Sequence, residues 1–482
     1  MVSIVNGEEM KGKCQVFTPS TVVEEMLNHL GYCENIYGKK ILENSCGDGQ
    51  FLTKIVIRYI NACKKSSLSD EDIRRGLSAD IYGIELDKTH YDNCIKELNT
   101  IVESNHIGEV EWQIHNRDAL KSPIDEEFDF IIGNPPYISY WDMSKSERSF
   151  IKENYSVCDS GACDYSYAFT QECFSRLSNT GRFVYLVPNS LFKTKSGQKL
   201  RKLLLSNITT IYDYTTTQLF KGVLTTPAII VVDKGAKPDK IIYKDVSANT
   251  ICVLKKTTLG DAWVFDRNVN SQRSRYKRRF GDYFNVSLSI ATQRNSAFIL
   301  SNWENKDGFL CHDSMKVELG AVRSAASPKG KKQNRCEHII FPYMSTNNTI
   351  DQYIEEEYKA LFPNTYGYLL SFKDDLEMRD SDKSAQWFEY GRSQALRNIW
   401  KKKLLLSTLI TGVVYVYELD EEEVPYSGLY ITLRDDNEKM SLDDAKKVLQ
   451  SEGFLEYVKA VGISASGKSI RIKPDNICDY RF

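Results

Sequence analysis

The peptide Asn134-Pro135-Pro136-Tyr137 ends an apolar run, Phe128-Asp129-Phe130-Ile131-Ile132-Gly133, that has the composition of a buried strand. Two consecutive prolines remove two backbone donors and hold the residues before them extended, so the chain can neither continue a sheet ladder nor begin a helix. The result is a stiff strip of acceptors. The side-chain oxygen of Asn134 and the carbonyl of Pro135 can each accept one N–H of an amino group, and the ring of Tyr137 can stack on the flat group that carries it. A plain turn has no need of this combination. The chemistry it fits is activation of a planar amine.

Three other strand ends carry residues of the same interest. Glu43-Asn44-Ser45-Cys46-Gly47-Asp48-Gly49 places two glycines in a turn between a strand and a helix, where backbone can approach a ligand closely and the helix offers unpaired N–H groups. A lone GxG also fits an ordinary tight turn. Some 40 residues later, Gly83-Ile84-Glu85-Leu86-Asp87 ends the next strand. Nucleotide-binding sheets present a carboxylate to ribose hydroxyls there, and Glu85 is the better candidate, because Asp87 is placed to cap the helix from Lys88. In Asn116-Arg117-Asp118-Ala119-Leu120 a carboxylate precedes small and apolar residues, a pattern that could receive an adenine amino group and line its ring.

These peptides need a scaffold that brings strand ends together. From about 39 to 235, β-rich runs such as KKILEN, DIYGIEL, VEWQIHN, FDFIIGN, RFVYLVP and PAIIVVD alternate with helical patterns. This alternation predicts an α/β fold with a mostly parallel sheet, whose ligands bind beyond the carboxyl ends of the strands. KGAKPDK reads as a linker. We therefore expect one domain over 1–238 and a second over 239–482, where the alternation decays into short strands, aromatic clusters and basic runs.

The chain has 482 residues, 41% hydrophobic and 27% charged, with a net charge of -2. No apolar stretch approaches the roughly 18 residues of a membrane span, and the first residues are too polar for a signal peptide, so no membrane partner and a cytoplasmic location are expected. The twelve cysteines are scattered and form no CxxC pair, which predicts reduced packing thiols. Net charge alone argues against a general polyanion binder. Residues 251–350 nevertheless carry 16 Lys/Arg against 8 Asp/Glu. Arg273, Arg275, Lys277, Arg278 and Arg279 form one cluster, with Arg267 nearby, and Lys329, Lys331, Lys332 and Arg335 form another. Both are candidate phosphate contacts, with a solvated basic face as the alternative.

The motifs resemble those of the S-adenosylmethionine-dependent adenine-N6 DNA methyltransferases of the gamma arrangement, the modification enzymes of restriction systems. Asn134 to Tyr137 matches their Asn/Asp-Pro-Pro-Tyr/Phe motif. Phe17-Thr18-Pro19 looks like their N-terminal cofactor motif, and Glu43 to Gly49 like the loop written DPACGSG, with Asn44 and Asp48 as departures. The resemblance implies a Rossmann-like methyltransferase fold with a mostly parallel seven-stranded sheet, and a C-terminal mixed α+β target-recognition domain. It implies that Phe17, Thr18 and Pro19 belong to the cofactor site, that Thr18, Glu43, Cys46, Gly47 and Gly49 surround the methionine part of the cofactor, that Glu85 binds its ribose, and that Asp118, Leu86 and Ala119 hold its adenine. Asn134, Pro135, Pro136 and Tyr137 would be the catalytic peptide and Phe220 a second ring against the target base.

The implied partner is double-stranded DNA, with a separately encoded cognate restriction endonuclease, and the chain would act as a monomer in a prokaryotic cytosol without a metal. RNA and protein-glutamine methyltransferases also carry Asn-Pro-Pro-Tyr and remain alternatives, as do a fused restriction-modification enzyme and an inactive DNA-binding relative. Gly462 to Ser469 satisfies the phosphate-loop pattern GxxxxGK[ST], but the residues after it look extended, whereas a phosphate loop must open a helix. It reads as a polar turn.

Overall fold

A computed structural model of the chain describes residues 18–214, 226–346, 349–437, 439–465 and 469–482. It divides into two compact units, Met1–Asn270 and Ser271–Phe482. The first unit begins with helix α1 (Ser20–Leu30) and continues through β1 (Ile41–Glu43), α2 (Gln50–Lys65), α3 (Asp70–Asp80), β2 (Ile81–Glu85), α4 (Lys88–Ser104), β3 (Gln113–Asn116) and β4 (Phe128–Gly133). After these come α5 (Lys145–Asn154), α6 (Tyr165–Arg176), β5 (Leu177–Pro188), α7 (Gln198–Leu204), β6 (Ile208–Asp213), β7 (Pro227–Asp233), β8 (Lys240–Asp245) and β9 (Thr250–Lys255).

The strands form one sheet in the order β3-β2-β1-β4-β5-β7-β6-β8-β9. The first five are parallel, and β7 lies antiparallel between β5 and β6. Successive strand residues point to opposite faces. Ile131, Phe183, Tyr185 and Ile230 accordingly enter the core on one face, and Ile132, Val184, Leu186 and Ile229 the core on the other. Covered on both sides, β7 is continuously apolar rather than alternating, as parallel and central strands are when helices pack on both faces. Helix α2 adds a stripe of Phe51, Leu52, Ile55, Val56, Tyr59, Ile60 and Cys63, the 3.6-residue period of an amphipathic helix.

The seven strands expected are extended to nine. Strands β8 and β9 come from the segment assigned by sequence to the start of the second domain, but β8 pairs in parallel with β6 and β9 pairs antiparallel with β8. The Lys-Pro-Asp stretch read as a linker is a connection that passes over β6, because β6 still had an open edge to receive a strand. Among the cysteines, Cys158 and Cys163 are joined by a disulfide with Cα atoms 5.3 Å apart, contrary to the expected set of separate thiols. Their spacing of five lies outside the CxxC pattern used to search the sequence. No helix of the described residues is long and apolar enough to cross a membrane.

The second unit is a mixed α+β assembly. One antiparallel sheet runs Phe284–Leu288, Leu429–Leu433, Lys403–Leu406, Val416–Leu419, and a second contains Ile299–Ser301, Glu337–Ile340, Val322–Ala326 and Val424–Pro425. Its core is aromatic, with Phe298, Phe341, Tyr343, Tyr358, Phe388 and Tyr390 buried together. Around the phosphate-loop-like sequence, Ile463–Ser464 and Ile470–Arg471 pair antiparallel, which is not a strand-to-helix arrangement. Residues 466–468 of that sequence lie outside the described residues.

Gly49 caps α2 in the left-handed region at φ 86°, and a Cβ there would stand 2.8 Å from Cys94 Sγ. Gly49→Ala is expected to lower unfolding free energy by about 1–2 kcal/mol from the backbone strain alone. Denaturant titration of both chains measures it, and an unchanged midpoint would contradict the assigned turn.

Candidate active site

The carboxyl ends of β1, β2, β3 and β4 open on one cavity of about 430 Å³. Thr18, Glu43, Cys46, Gly47, Glu85, Leu86, Asp118, Ala119, Asn134, Pro135, Pro136 and Tyr137 all line it. The volume is that of a site for a small organic molecule, roughly 300–1,000 Å³.

One half is built around Glu85, which is buried. Its Oε2 accepts from Gly47 N at 2.8 Å and its Oε1 from Asp87 N at 2.8 Å, so the end of β2 fixes the turn after β1. Gly47 takes φ 51° there. Asp87 caps α4 by accepting from Thr89 N and His90 N. Asp118 Oδ1 accepts from Leu120 N at 2.9 Å and Lys121 N at 3.2 Å, while Lys121 Nζ stands 3.5 Å from Oδ2. Beside these carboxylates Ala119 is buried and Leu86 is 53% exposed, an apolar side chain left open at the cavity.

Glu43 lies deeper. Its Oε2 is buried without a hydrogen-bond partner among the described residues. Burial, and then Cys94 and Glu85 nearby, push its carboxyl well above the usual carboxylate range. Asn44, next to it, accepts from Tyr185 Oη at 2.7 Å, and its Nδ2 is likewise buried with no partner among the described residues. Such orphaned polar atoms are costly unless a ligand or water meets them.

The other half is the Asn-Pro-Pro-Tyr peptide. Asn134 Nδ2 donates to Thr18 Oγ1 at 3.2 Å, and its backbone carbonyl accepts from Ser45 Oγ at 3.2 Å. Thr18 is buried. The amide is thus oriented by the segment before α1, and the peptide is tied to the glycine turn. Tyr137 packs against the core with its hydroxyl buried and without a partner among the described residues. Burial, and then Asp164, raise its phenol well above the ordinary tyrosine range. Asp164 accepts from Ser166 N and Oγ as it caps α6, and burial raises its carboxyl too.

Some candidates stand elsewhere. Pro19 is exposed at the start of α1 and is not part of the cavity wall, and Gly49 opens on a neighbouring cleft with Asp48 and Thr53. Phe17 and Phe220 lie outside the described residues, as does the side chain of Arg273. In the basic clusters Arg275, Lys277, Arg278, Lys329, Lys332 and Arg335 are exposed. Arg279 is instead paired through Nε and Nη2 with Asp479, and Lys331 with Glu423. The structure also adds Arg117, Lys121, Ile138, Glu147, Tyr165 and Phe169 to the cavity wall. The four-residue spacing of Tyr165 and Phe169, which puts both on one face of α6, is the signal that could have found them.

Because the folded chain keeps a proton on Glu43 that the unfolded chain gives up, Glu43 costs stability as pH rises from the ordinary carboxylate range towards its raised value. Glu43→Gln should narrow the fall in melting temperature between mildly acidic and neutral buffer. An unaltered pH slope would mean that Glu43 is ionised in the fold.

Residues 35–220 match the Eco57I restriction-modification methylase family. The chain is 23% identical to the type II restriction enzyme and methyltransferase RM.Eco57I of Escherichia coli, over 95% of this chain and 56% of that protein. It is 22% identical to the type II methyltransferase M.HincII of Haemophilus influenzae, over 93% of this chain and 85% of that protein. The type IIL restriction-modification enzyme MmeI, solved in complex with DNA, shares the fold with a TM-score of 0.61 at 14% identity, over 95% of this chain and 64% of MmeI. The chain thus spans little more than half the length of RM.Eco57I. With the Asn-Pro-Pro-Tyr peptide and the glycine turn facing one cavity on a Rossmann-like sheet, residues 35–220 resemble the methylases of the Eco57I restriction-modification family.

Proposed function

We propose that the chain is a site-specific DNA methyltransferase that moves a methyl group from S-adenosylmethionine to the exocyclic N6 of an adenine rotated out of duplex DNA. The observation that carries this reading is the single cavity in which the glycine turn and the acidic strand ends meet Asn134 to Tyr137. Cofactor half and amine half then share one space, as direct transfer between them requires.

The residues present fit the cofactor. The two Glu85 oxygens each accept one backbone N–H and retain lone pairs for ribose hydroxyls. Asp118, Leu86 and Ala119 flank a slot suited to a purine, and the unpartnered Glu43 Oε2 and Asn44 Nδ2 offer polar atoms for an amino acid moiety. When bound, S-adenosylmethionine supplies an electrophilic methyl group on a sulfonium.

The chain's own contribution is to the amine. The exocyclic nitrogen of adenine is a weak nucleophile because its lone pair is delocalised into the ring. Held between the Asn134 side-chain oxygen and the Pro135 carbonyl, its N–H bonds tilt out of plane and the lone pair localises, an electrostatic stabilisation suited to the transition state. Thr18 orients the Asn134 amide for this, and Ser45 holds the peptide. Within a duplex the amine cannot reach such a pocket, so the base must be extruded, at a cost of a few kcal/mol. Tyr137 and Phe220 would offset part of that by stacking. The second unit would read the sequence, with Lys277, Arg278 and the cluster at 329–335 on phosphates. On this reading the chain works as a monomer in a prokaryotic cytosol beside a separately encoded endonuclease.

Tritiated methyl transfer to DNA, RNA and protein in parallel, followed by base-resolution mapping of modified adenine, tests the proposal; label in RNA or protein alone would replace it. Asn134→Ala should lower turnover by about 10²–10³-fold or more while DNA and cofactor binding persist. Reversing the charges of Lys277 and Arg278 should weaken DNA binding and flatten its dependence on salt, measured by titration at several ionic strengths. An unchanged slope would remove that patch from the interface.

A further inference from the structure

Beyond Tyr137 the chain passes Ile138 in the cavity wall and enters a single 3-10 turn, Tyr140–Asp142. Trp141 in this turn is 73% exposed, more than any other aromatic ring among the described residues. A loosely placed surface tryptophan would need no explanation, but this one is held from several sides. Its ring meets that of Tyr140 edge-on at 5.3 Å. Arg148 donates from Nη2 to the Trp141 carbonyl at 2.8 Å, with its guanidinium 4.8 Å from the Tyr140 ring and 6.0 Å from the Trp141 ring. One helical turn further along α5, Lys152 donates to Tyr140 Oη at 2.7 Å. Helix α5 is itself fixed by a capping box between Ser144 and Glu147, and Glu147 lines the cavity. The turn is therefore anchored to the cavity wall on both sides, through Ile138 and through Glu147.

A rigid, flat, apolar ring exposed at the rim of a pocket for an extruded base has one natural partner, the face of a neighbouring base. Charge is not the main attraction, since Lys145, Arg148 and Lys152 are balanced by Asp142, Glu147 and Glu153. Resting on the function proposed above, we infer that Trp141 stacks on the DNA bases left behind when the target adenine leaves the helix, filling the gap and holding the extruded state open. Proteins that distort duplexes use inserted apolar side chains in this way. Arg148 and Lys152 are the positioning residues: they keep the Tyr140–Trp141 turn in place.

The test uses the full chain and two duplexes containing the target sequence, mapped as described above. One duplex is fully paired, and the other carries an abasic site opposite the target adenine, which leaves little pairing to break. Trp141→Ala should reduce kcat/KM on the paired duplex about ten- to a hundredfold, from the loss of stacking. On the abasic duplex it should regain nearly the activity of the unaltered chain, and Trp141→Phe should lie between the two on the paired duplex. Cofactor affinity, measured by calorimetry, should be the same in all three chains. An equal loss on both duplexes, or no loss on either, would overturn the inference while leaving the proposed reaction intact. Failure of the unaltered chain to methylate either duplex would overturn the proposed reaction, and this inference with it.

Discussion

The buried carboxylate of Glu85 is the constraint on which the rest of the site depends. A carboxylate taken out of water is tolerated only when its oxygens are well supplied with donors. Here the donors are backbone N–H groups of Gly47 and Asp87, so satisfying one side chain fixes two turns at once. Asp87 in turn starts α4, and α4 carries Cys94, against which the bare backbone of Gly49 is packed. The floor of the cavity is one connected set of local requirements.

The reactive peptide joins this floor through few but specific bonds. Ser45, in the glycine turn, holds the carbonyl of Asn134, while Thr18 holds its amide. The two positions where the turn departs from the related motif have their own partners in the fold. Asn44 takes the hydroxyl of Tyr185, and Asp48 takes His90 Nδ1 at 2.6 Å and Asn93 Nδ2 at 3.1 Å from the first turns of α4. A rigid pyrrolidine is replaced at one place by a hydrogen bond to the central sheet, and a small hydroxyl at the other by a link to the next helix. The loop is therefore held by side-chain contacts in addition to its backbone shape.

Much of the first unit was legible because its signals are local. Apolar runs ending in Gly, Pro or Asp marked β4, β5 and β7, shorter β-rich runs marked β1 to β3, and the Asp87 cap could be read from its place before Lys88. The edge hairpin was not legible: in β9 most residues face water, so KIIYKD and TICVLK lack the strong pattern of a buried strand. Arg117 and Glu147 reach the cavity only through tertiary packing, which periodicity does not encode. Among the basic residues, charge on the page did not distinguish Lys277, which is exposed, from Arg279, whose guanidinium is committed to Asp479. Phe17 and Phe220, assigned by resemblance, lie in segments outside the described residues.

The placement of β7 has a kinetic consequence. It sits between β5 and β6 but follows both in the chain, so β6 has no sheet partner on that side until β7 has been made and inserted. During synthesis the parallel half of the sheet, β1 to β5, can assemble first, while β6 waits with both edges bare, since its other neighbour, β8, also follows it in the chain. Closure then depends on β7 entering between two strands that both precede it, which makes it a late step of folding. Until that insertion an apolar strand remains open to solvent, and at that stage the newly made chain is most exposed to misassembly.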